Sequence, residues 1–538
     1  MRPATAIAVL LVAGTPARLF AQAPRDDGTQ APVIDTVIVV NHNIFATGDE
    51  APGFIAGLVN ALHRTTRANV IRRTILLEPG MRYDSAQVVE SERLLRDLGV
   101  FRDVKFDTLR VGDKLALRVT TGDGWSTSLN LGYSTTAGSV SWLMSATERN
   151  LLGTATALSV ALHHNPDRNN LSFLYQNAAF LSRRTGLNLE YDDLSDGRRG
   201  VWSYGQGFYQ TAARIAVQDS GEAAHNRVLM FKNDSLSAAY QRKVLISTNT
   251  VGWAPLATSR DYLRLTLSSV LRREDYELDS LPADTTFTRL PSNLFPRHFY
   301  ASFGLAAERN HVHYTQMVHF NSFGRHEDLD LSQIVGVGVW VAPNAFGYGP
   351  HAGIAPRAHF QVSGAWDGGF VSFRGQALGM YTRSGLDSGR VTSALTAVTT
   401  SIPSQTLILH VEGGAVTGTA PGGEFDLWRD GNGPRLYGAH EFTGSRMVWL
   451  ALDDRITLAS EVWSLFGLGV APFFDWGGAW YGIQKPRTAS DLGIAFRVGP
   501  TRSIGGDVIE FAVGYRAGPF IQTGQHWAAT LGTGVFYR

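Results

Sequence analysis

The sequence predicts a mainly β protein: a transmembrane β-barrel of about sixteen antiparallel strands, preceded by a small α+β domain of strand-helix-helix-strand-strand order. Three observations predict it. The chain combines 57 Gly with 28 Phe, 17 Tyr and 12 Trp at only 18% charged residues, a turn-rich and greasy composition unlike that of soluble domains. Behind the first residues no apolar run reaches the ~18 residues of a membrane-crossing helix, and the mean hydropathy is −0.07. From residue 125 onward, period-two segments separated by turn residues replace helical spacing, as in barrels whose strands put apolar side chains on one face and small or polar ones on the other.

Residues 1–21 read as a secretory signal peptide: Arg2, an apolar stretch from Ala6 to Gly14, then small residues around Ala17 to Ala23. Cleavage is expected near Ala21, because a cut after Ala23 would put Pro24 directly behind the scissile bond. Pro16 argues against a buried helix there. Losing Arg2 and Arg18 turns 48 basic against 47 acidic residues into one net negative charge, so no basic field exists for nucleic acid. The absence of cysteine excludes disulfides, thiolate metal sites and cysteine nucleophiles.

Residues 32–121 form the small domain. Val33 to Val40 is a β-branched strand and Arg67 to Leu77 has helical character before the Glu78-Pro79-Gly80 turn. Asp84 is placed to cap a helix from Ser85 to Leu98, with Val88, Leu95 and Leu98 at helical spacing and Gly99 as its stop. Strands follow over Val104 to Leu109 and Lys114 to Thr120. The stretch from Asn41 to Thr66, with its apolar Phe54 to Leu62, has no assigned role.

Residues 125–538 form the barrel. In His526 to Arg538, Trp527, Ala529, Leu531, Thr533, Val535 and Tyr537 share one face, while Ala528, Thr530, Gly532 and Gly534 share the other. Met447 to Leu458, Gly467 to Tyr481, Asp491 to Gly499 and Val508 to Gly518 alternate similarly. At about 26 residues per strand and connection, the segment holds roughly sixteen strands. Arg214 to Asp234 and Leu278 to Arg297 read equally as loops or strands. Trp202, Trp253, Trp340, Trp480 and Trp527 are candidates for interfacial girdles, or for core packing in a soluble sandwich.

The element order of residues 32–121 resembles a single POTRA domain, on Val70-Ile71-Arg72-Arg73, Pro79-Gly80 with Tyr83-Asp84, and Leu94 to Phe101 running into Val104. The remainder resembles the BamA/TamA superfamily of outer-membrane barrels, the bacterial surface antigen type. That likeness is carried by Glu148-Arg149-Asn150-Leu151-Leu152-Gly153, by Glu327-Asp328-Leu329 before Ile334 to Val341, by Arg435-Leu436-Tyr437-Gly438 with Phe442 and Gly444, by Leu452-Asp453-Asp454-Arg455, and by Phe473-Phe474-Asp475-Trp476-Gly477. It implies a family turn motif at Asn150, Leu151 and Gly153, and a long loop folded back into the lumen with Arg435 and Tyr437 at its tip. Alternation puts Asp475 on the lumen face of its strand, which makes it the partner that the resemblance implies for Arg435. Asp453 and Arg455 share a strand face and are candidates to extend the network. Two departures stand out: Leu436 where the family pattern has glycine, and a chain ending Phe536-Tyr537-Arg538 where members commonly end on an aromatic.

The resemblance implies a bacterial outer-membrane location, with the N-terminal domain in the periplasm. It also implies contact with outer-membrane lipids and with unfolded outer-membrane or secreted client proteins, which POTRA-like modules bind by adding a strand to a sheet edge. A spacer or plug support is the equal alternative for one such module. No cofactor and no metal site is expected. His163-His164, His311 with His313 and Asp192-Asp193 read as rim or lumen residues, Asp430-Gly431-Asn432-Gly433 as a flexible turn, and no GxSxG, P-loop, HExxH or dinucleotide fingerprint occurs. The patatin-type lipase domain of some single-POTRA barrels has no counterpart in the sequence. The chain therefore reads as no enzyme. It reads as an insertion or translocation barrel for proteins or lipids, or, in a different class, as a passive surface scaffold, pore or receptor.

Overall fold

The computed structural model describes residues 31–45, 57, 60–61, 63–112, 114–136, 139–232, 235–279, 298–324, 326–346, 352–428, 433–482, 484–502, 508–521 and 524–534. The signal-peptide expectation, most of Phe54 to Leu62, Asp430 to Asn432 and the terminal Arg538 lie outside them.

The chain begins with β1 (Ile34–His42), α1 (Ala68–Thr74), α2 (Ser85–Asp97), β2 (Phe101–Val111) and β3 (Lys114–Asp123). The three strands form a sheet of order β1-β3-β2, with β3 parallel to β1 and antiparallel to β2. The Asp84 carboxylate caps α2 by accepting from the Ala86 backbone N–H, and Gly99 ends the helix at φ +63°, where a side chain would be strained. Ile71, Leu95, Val100 and Val119 close one small core; Ile34, Leu77, Val88 and Leu117 close another.

Twenty strands then close into one antiparallel barrel. They are β4 (Thr127–Thr136), β5 (Ser139–Glu148), β6 (Thr156–His164), β7 (Asn169–Asn177), β8 (Gly186–Leu194) and β9 (Gly197–Gln206), then the long β10 (Ile215–Lys232), β11 (Ser235–Ala257) and β12 (Asp261–Leu278), and β13 (His298–His311). A short hairpin, β14 (Tyr314–Met317) and β15 (Glu327–Asp330), interrupts the barrel before β16 (Gln333–Ala342), β17 (Gly353–Trp366), β18 (Gly369–Thr382), β19 (Gly385–Thr399) and β20 (Gln405–Thr417). A long loop holding β21 (Phe425–Asp426) and β22 (Thr443–Gly444) precedes β23 (Arg446–Val462), β24 (Phe466–Trp480), β25 (Ala489–Pro500), β26 (Ile509–Ala517) and β27 (Trp527–Thr533).

The expected count of about sixteen is thus corrected to twenty. The estimate assumed generous connections, whereas two-residue turns at 195–196, 367–368 and 383–384 join neighbouring strands, and Arg214 to Asp234 is almost entirely strand. The expectation of a small separate α+β domain is corrected as well: residues 31–123 are built onto one end of the barrel, here the near rim. Asn150, in the turn after β5, donates to Arg64 O at 3.1 Å and Thr66 Oγ1 at 2.9 Å. Arg96 of α2 forms a bidentate pair with Asp328 at 2.6 and 3.0 Å, and Glu90 accepts from Thr211 N at 3.0 Å. Ile44 and Phe45 bury themselves against Trp125 and Leu465. Such attachments spread the front segment's polar groups and apolar side chains over barrel turns, so its small sheet does not stand alone.

The barrel is inverted relative to a soluble one. Leu129, Leu131, Val251, Leu267, Val335, Val337, Leu492, Ile494 and Phe496 point outward and exposed, while Asp453, Arg455, Asp475, Asp491, Arg497, Glu510 and Arg516 are buried inside. A lipid bilayer selects this pattern, since hydrocarbon solvates the outer face and the charges pair within. Trp253 and Trp527 lie on the outer face and are 56% and 72% exposed. Trp340 departs from the girdle expectation: it occupies the lumen face of β16, packed beside Gly304 and under the Arg357 guanidinium at 3.9 Å.

Candidate functional site: two loops locked in a charged lumen

The loop between β20 and β23 enters the barrel from the far rim. Arg435 is only 1% exposed. Its Nε donates to Asp475 Oδ2 at 2.8 Å, its Nη2 reaches Asp475 Oδ1 at 3.4 Å, and its backbone N–H also meets Asp475 Oδ2 at 3.2 Å. Nη1 reaches Asp453 Oδ1 at 3.4 Å, and the guanidinium lies over the Phe473 ring at 4.1 Å. Alternation along β23 and β24 fixes the acceptors: Asp475 faces inward between the outward Phe474 and Trp476, and Asp453 faces inward between the outward Leu452 and Asp454. A guanidinium buried this deeply is tolerable because its donors are matched by carboxylate oxygens in fork geometry.

The neighbours of Arg435 pin the same loop. Leu436 is fully buried against Ala471, Phe473, Ala495 and Ala512, and its N–H donates to Asp491 Oδ2 at 2.8 Å. It is not among the residues with positive φ; the glycine-type backbone that its position suggested is therefore not used, and the side chain serves as an apolar anchor. The non-glycine residue with positive φ among the described residues of this loop is His440, at φ +69°. Tyr437 donates its hydroxyl to Ser490 O at 2.9 Å and packs against Phe442 with ring centroids 5.0 Å apart. Gly444 must be glycine, since a Cβ there would sit 2.2 Å from the Trp480 backbone.

At the far rim His440 closes the loop against the opposite wall. Its Nδ1 lies 2.7 Å from Asp426 Oδ2 and its Nε2 lies 3.0 Å from Asp167 Oδ1, in the turn joining β6 and β7. Phe231, at the tip of β10, stacks on the imidazole at 3.5 Å. Burial pushes the imidazole down, but the two carboxylates more than offset it and raise its pKa to about 9.

A second loop, residues 312–332, enters from the near rim, and the sequence reading missed it. Phe320 inserts among Leu331, Phe370, Val398, Ile408 and Trp449, edge-on to Phe370 at 5.7 Å. Glu327 holds the bend by accepting from Asn321 N at 2.8 Å and Ser322 N at 2.9 Å. Arg455 joins the two loops: its Nε donates to Asp453 Oδ2 at 3.0 Å, and its Nη1 donates to Phe320 O. Asp453 thus bridges Arg435 of one loop to the arginine that holds the other. The signal available beforehand was Phe320 and Phe323 among polar residues with no strand alternation.

The structure therefore brings together Arg435, Tyr437, Asp475, Asp453 and Arg455, and adds Asp491, Phe320, His440, Asp426 and Asp167. It places Asn150, Leu151 and Gly153 elsewhere, at the near rim. There Asn150 is buried, Ala155 N donates to Asn150 Oδ1 at 2.9 Å, and Arg67 N donates to Gly153 O at 2.9 Å. A Cβ on Gly153, which has φ +74°, would meet Thr65 O at 2.5 Å. The turn is a docking point for the front segment. Among the described residues no group of three or more His, Asp or Glu side chains is arranged to hold a metal ion.

No protein-family model matches the chain, and no curated protein matches it. Solved structures do. CdiB from Escherichia coli is 10% identical, with 96% of this chain and 92% of that chain covered and a TM-score of 0.45. CdiB from Acinetobacter baumannii is 9% identical, with 93% and 73% covered and a TM-score of 0.40. BamA from Haemophilus ducreyi lacking POTRA domains 1-3 is 13% identical, with 92% and 84% covered and a TM-score of 0.39. The resemblance to BamA-type outer-membrane barrels read from the sequence thus reappears among solved structures as a likeness of barrel fold.

Proposed function

We propose that the chain is an outer-membrane barrel that assists insertion or translocation of client polypeptides, with its front segment on the periplasmic side. The observation that carries this reading is the seam. β27 and β4 are registered over three pairs among the described residues, Ala529, Thr530 and Leu531 opposite Thr135, Ser134 and Tyr133, whereas β26 and β27 are registered over seven. A junction with few ladder bonds is the place where a closed sheet opens at least cost, and an opened edge is a template for another strand. β1 and β2 supply further edges near the near rim, because both flank β3 in the front sheet.

The test uses the chain's lack of cysteine. Tyr133→Cys with Leu531→Cys, at Cα-registered positions, gives a seam that oxidation locks. In liposomes, the reduced protein is expected to accelerate folding of an unrelated urea-unfolded outer-membrane barrel, and the oxidised protein is expected to lose that acceleration. Equal acceleration by both forms would refute the seam as the working part. A second reading, a passive surface scaffold or receptor, is favoured by the loop that crosses the far mouth to Asp167 and Phe231. It predicts no acceleration in either state.

A further inference from the structure

Among the described residues the outer face carries a carboxylate that a lipid-facing wall does not need. Asp454 follows Asp453 on β23 and therefore points the opposite way, outward. Its Oδ1 is shielded from solvent and has no hydrogen-bond partner among the described residues. An ionisable group on the membrane face is costly to keep, and its retention marks a binding function more often than an accident.

The surroundings say what the carboxylate faces. It borders an outward groove of about 520 Å³ walled by Trp366, Leu409, Leu452 and Phe474. Trp366, the last residue of β17, also borders a second cavity of about 430 Å³ at the near rim, lined by Thr400, Ser404, Gln405, Thr457, Ser460 and His319. His319 Nδ1 is likewise buried without a hydrogen-bond partner. Asp454 is registered with Leu407, and Leu407 with Thr399, the last residue of β19. The carboxylate therefore lies level with the near-rim end of β19, while its own strand β23 runs on to Val462, and Trp366, at 49% exposure and the end of β17, marks the depth where headgroups meet hydrocarbon.

An apolar groove running into a hydroxyl-lined cavity, with an unpaired carboxylate at their level, has the layout of an amphiphile. We propose that this face binds a phospholipid bearing a primary ammonium headgroup. The acyl chain lies along Leu409, Leu452 and Phe474, and the ammonium donates to Asp454. A primary ammonium offers three N–H donors to a carboxylate, which a quaternary headgroup lacks and a glycerol headgroup replaces with neutral hydroxyls.

The experiment incubates the folded, detergent-solubilised full chain with an equimolar mixture of phosphatidylethanolamine, phosphatidylcholine and phosphatidylglycerol, and counts retained lipids by native mass spectrometry. The wild type is expected to retain phosphatidylethanolamine about tenfold over either competitor, the ratio one charged hydrogen bond of about 1.4 kcal/mol supplies. Asp454→Asn is expected to lose that preference, while Asp193→Asn, an exposed carboxylate on β8, keeps it. Heat-dependent gel mobility verifies that each variant is folded. Equal retention of the three lipids by the wild type, or an unchanged preference in Asp454→Asn, overturns the assignment.

Discussion

Replacing Arg435 by alanine tests the lumen lock most directly, and the structure sets the size of the effect. Arg435 gives Asp475 two side-chain contacts and one backbone contact, and gives Asp453 one at 3.4 Å. Removing it strands Asp475 at 0% exposure, whereas Asp453 keeps Arg455 at 3.0 Å. Breaking a buried pair costs about 3 to 5 kcal/mol, and Arg435→Ala belongs in that range. Asp475→Ala is expected at its lower end, because the guanidinium retains Asp453. If the two residues act as one unit, the double variant costs less than the sum by about 1 to 3 kcal/mol. The assay is a urea titration of the barrel folded in lipid vesicles, read by the mobility of unheated samples on gels. Additivity within about 0.5 kcal/mol would refute the contact as an energetic unit, and an Arg435→Ala cost below about 1 kcal/mol would refute the buried-pair argument itself.

Three further outcomes follow from the same contacts. Gly153→Ala forces a Cβ to 2.5 Å from Thr65 O at φ +74°, and should free the front segment from the near rim, seen as faster protease cleavage around residues 60–66 with the barrel intact. His440 has a folded pKa raised to about 9 above the ordinary ~6.5, so its contribution is complete below the unfolded value and is lost as pH rises through 9. The loop 418–445 should then become more protease-sensitive between pH 7 and 10, and His440→Gln should abolish that dependence. Phe320→Ala empties the cleft among Leu331, Phe370 and Trp449 and should cost about 3 to 5 kcal/mol in the same urea titration.

What the sequence could and could not reveal divides along physical lines. Alternation is a local property, so the faces of β23, β24 and β27 were readable residue by residue, and with them the inward direction of Asp453, Arg455 and Asp475. Strand number is a global property that depends on turn length; tight two-residue turns carried the count from sixteen to twenty. Residues 312–332 were opaque because their bend is held by Glu327 accepting backbone N–H groups and by a lumen contact 135 residues away, Arg455 to Phe320. The front segment's elements were legible from Asp84, Gly99 and the apolar spacing of α2, yet its attachment to the rim was not, since Asn150 and Asp328 stood out only as members of short motifs, with nothing local to tie them to Arg64, Thr66 or Arg96. The Trp340 girdle assignment failed for a related reason: an aromatic at a strand end can face either way, and the flanking glycines 304 and 338 leave room for it inside.

The two loops are anchored at opposite rims but share one carboxylate, and that arrangement has a measurable consequence. The loop 418–445 is tied at the far rim by His440 and within the barrel by Arg435. The loop 312–332 is tied at the near rim by Asp328 to Arg96 and within the barrel through Arg455. Asp453 faces both arginines, at 3.4 Å and 3.0 Å, while Asp475 contacts Arg435 alone of the two. Asp453→Asn should therefore loosen both loops together: protease cuts appear in each, and conductance across a planar bilayer rises as the lumen loses both fillings. Asp475→Asn should loosen only the loop from the far rim. Loosening of a single loop by Asp453→Asn would mean that the two are held independently, each by its own rim, and that the shared carboxylate couples nothing.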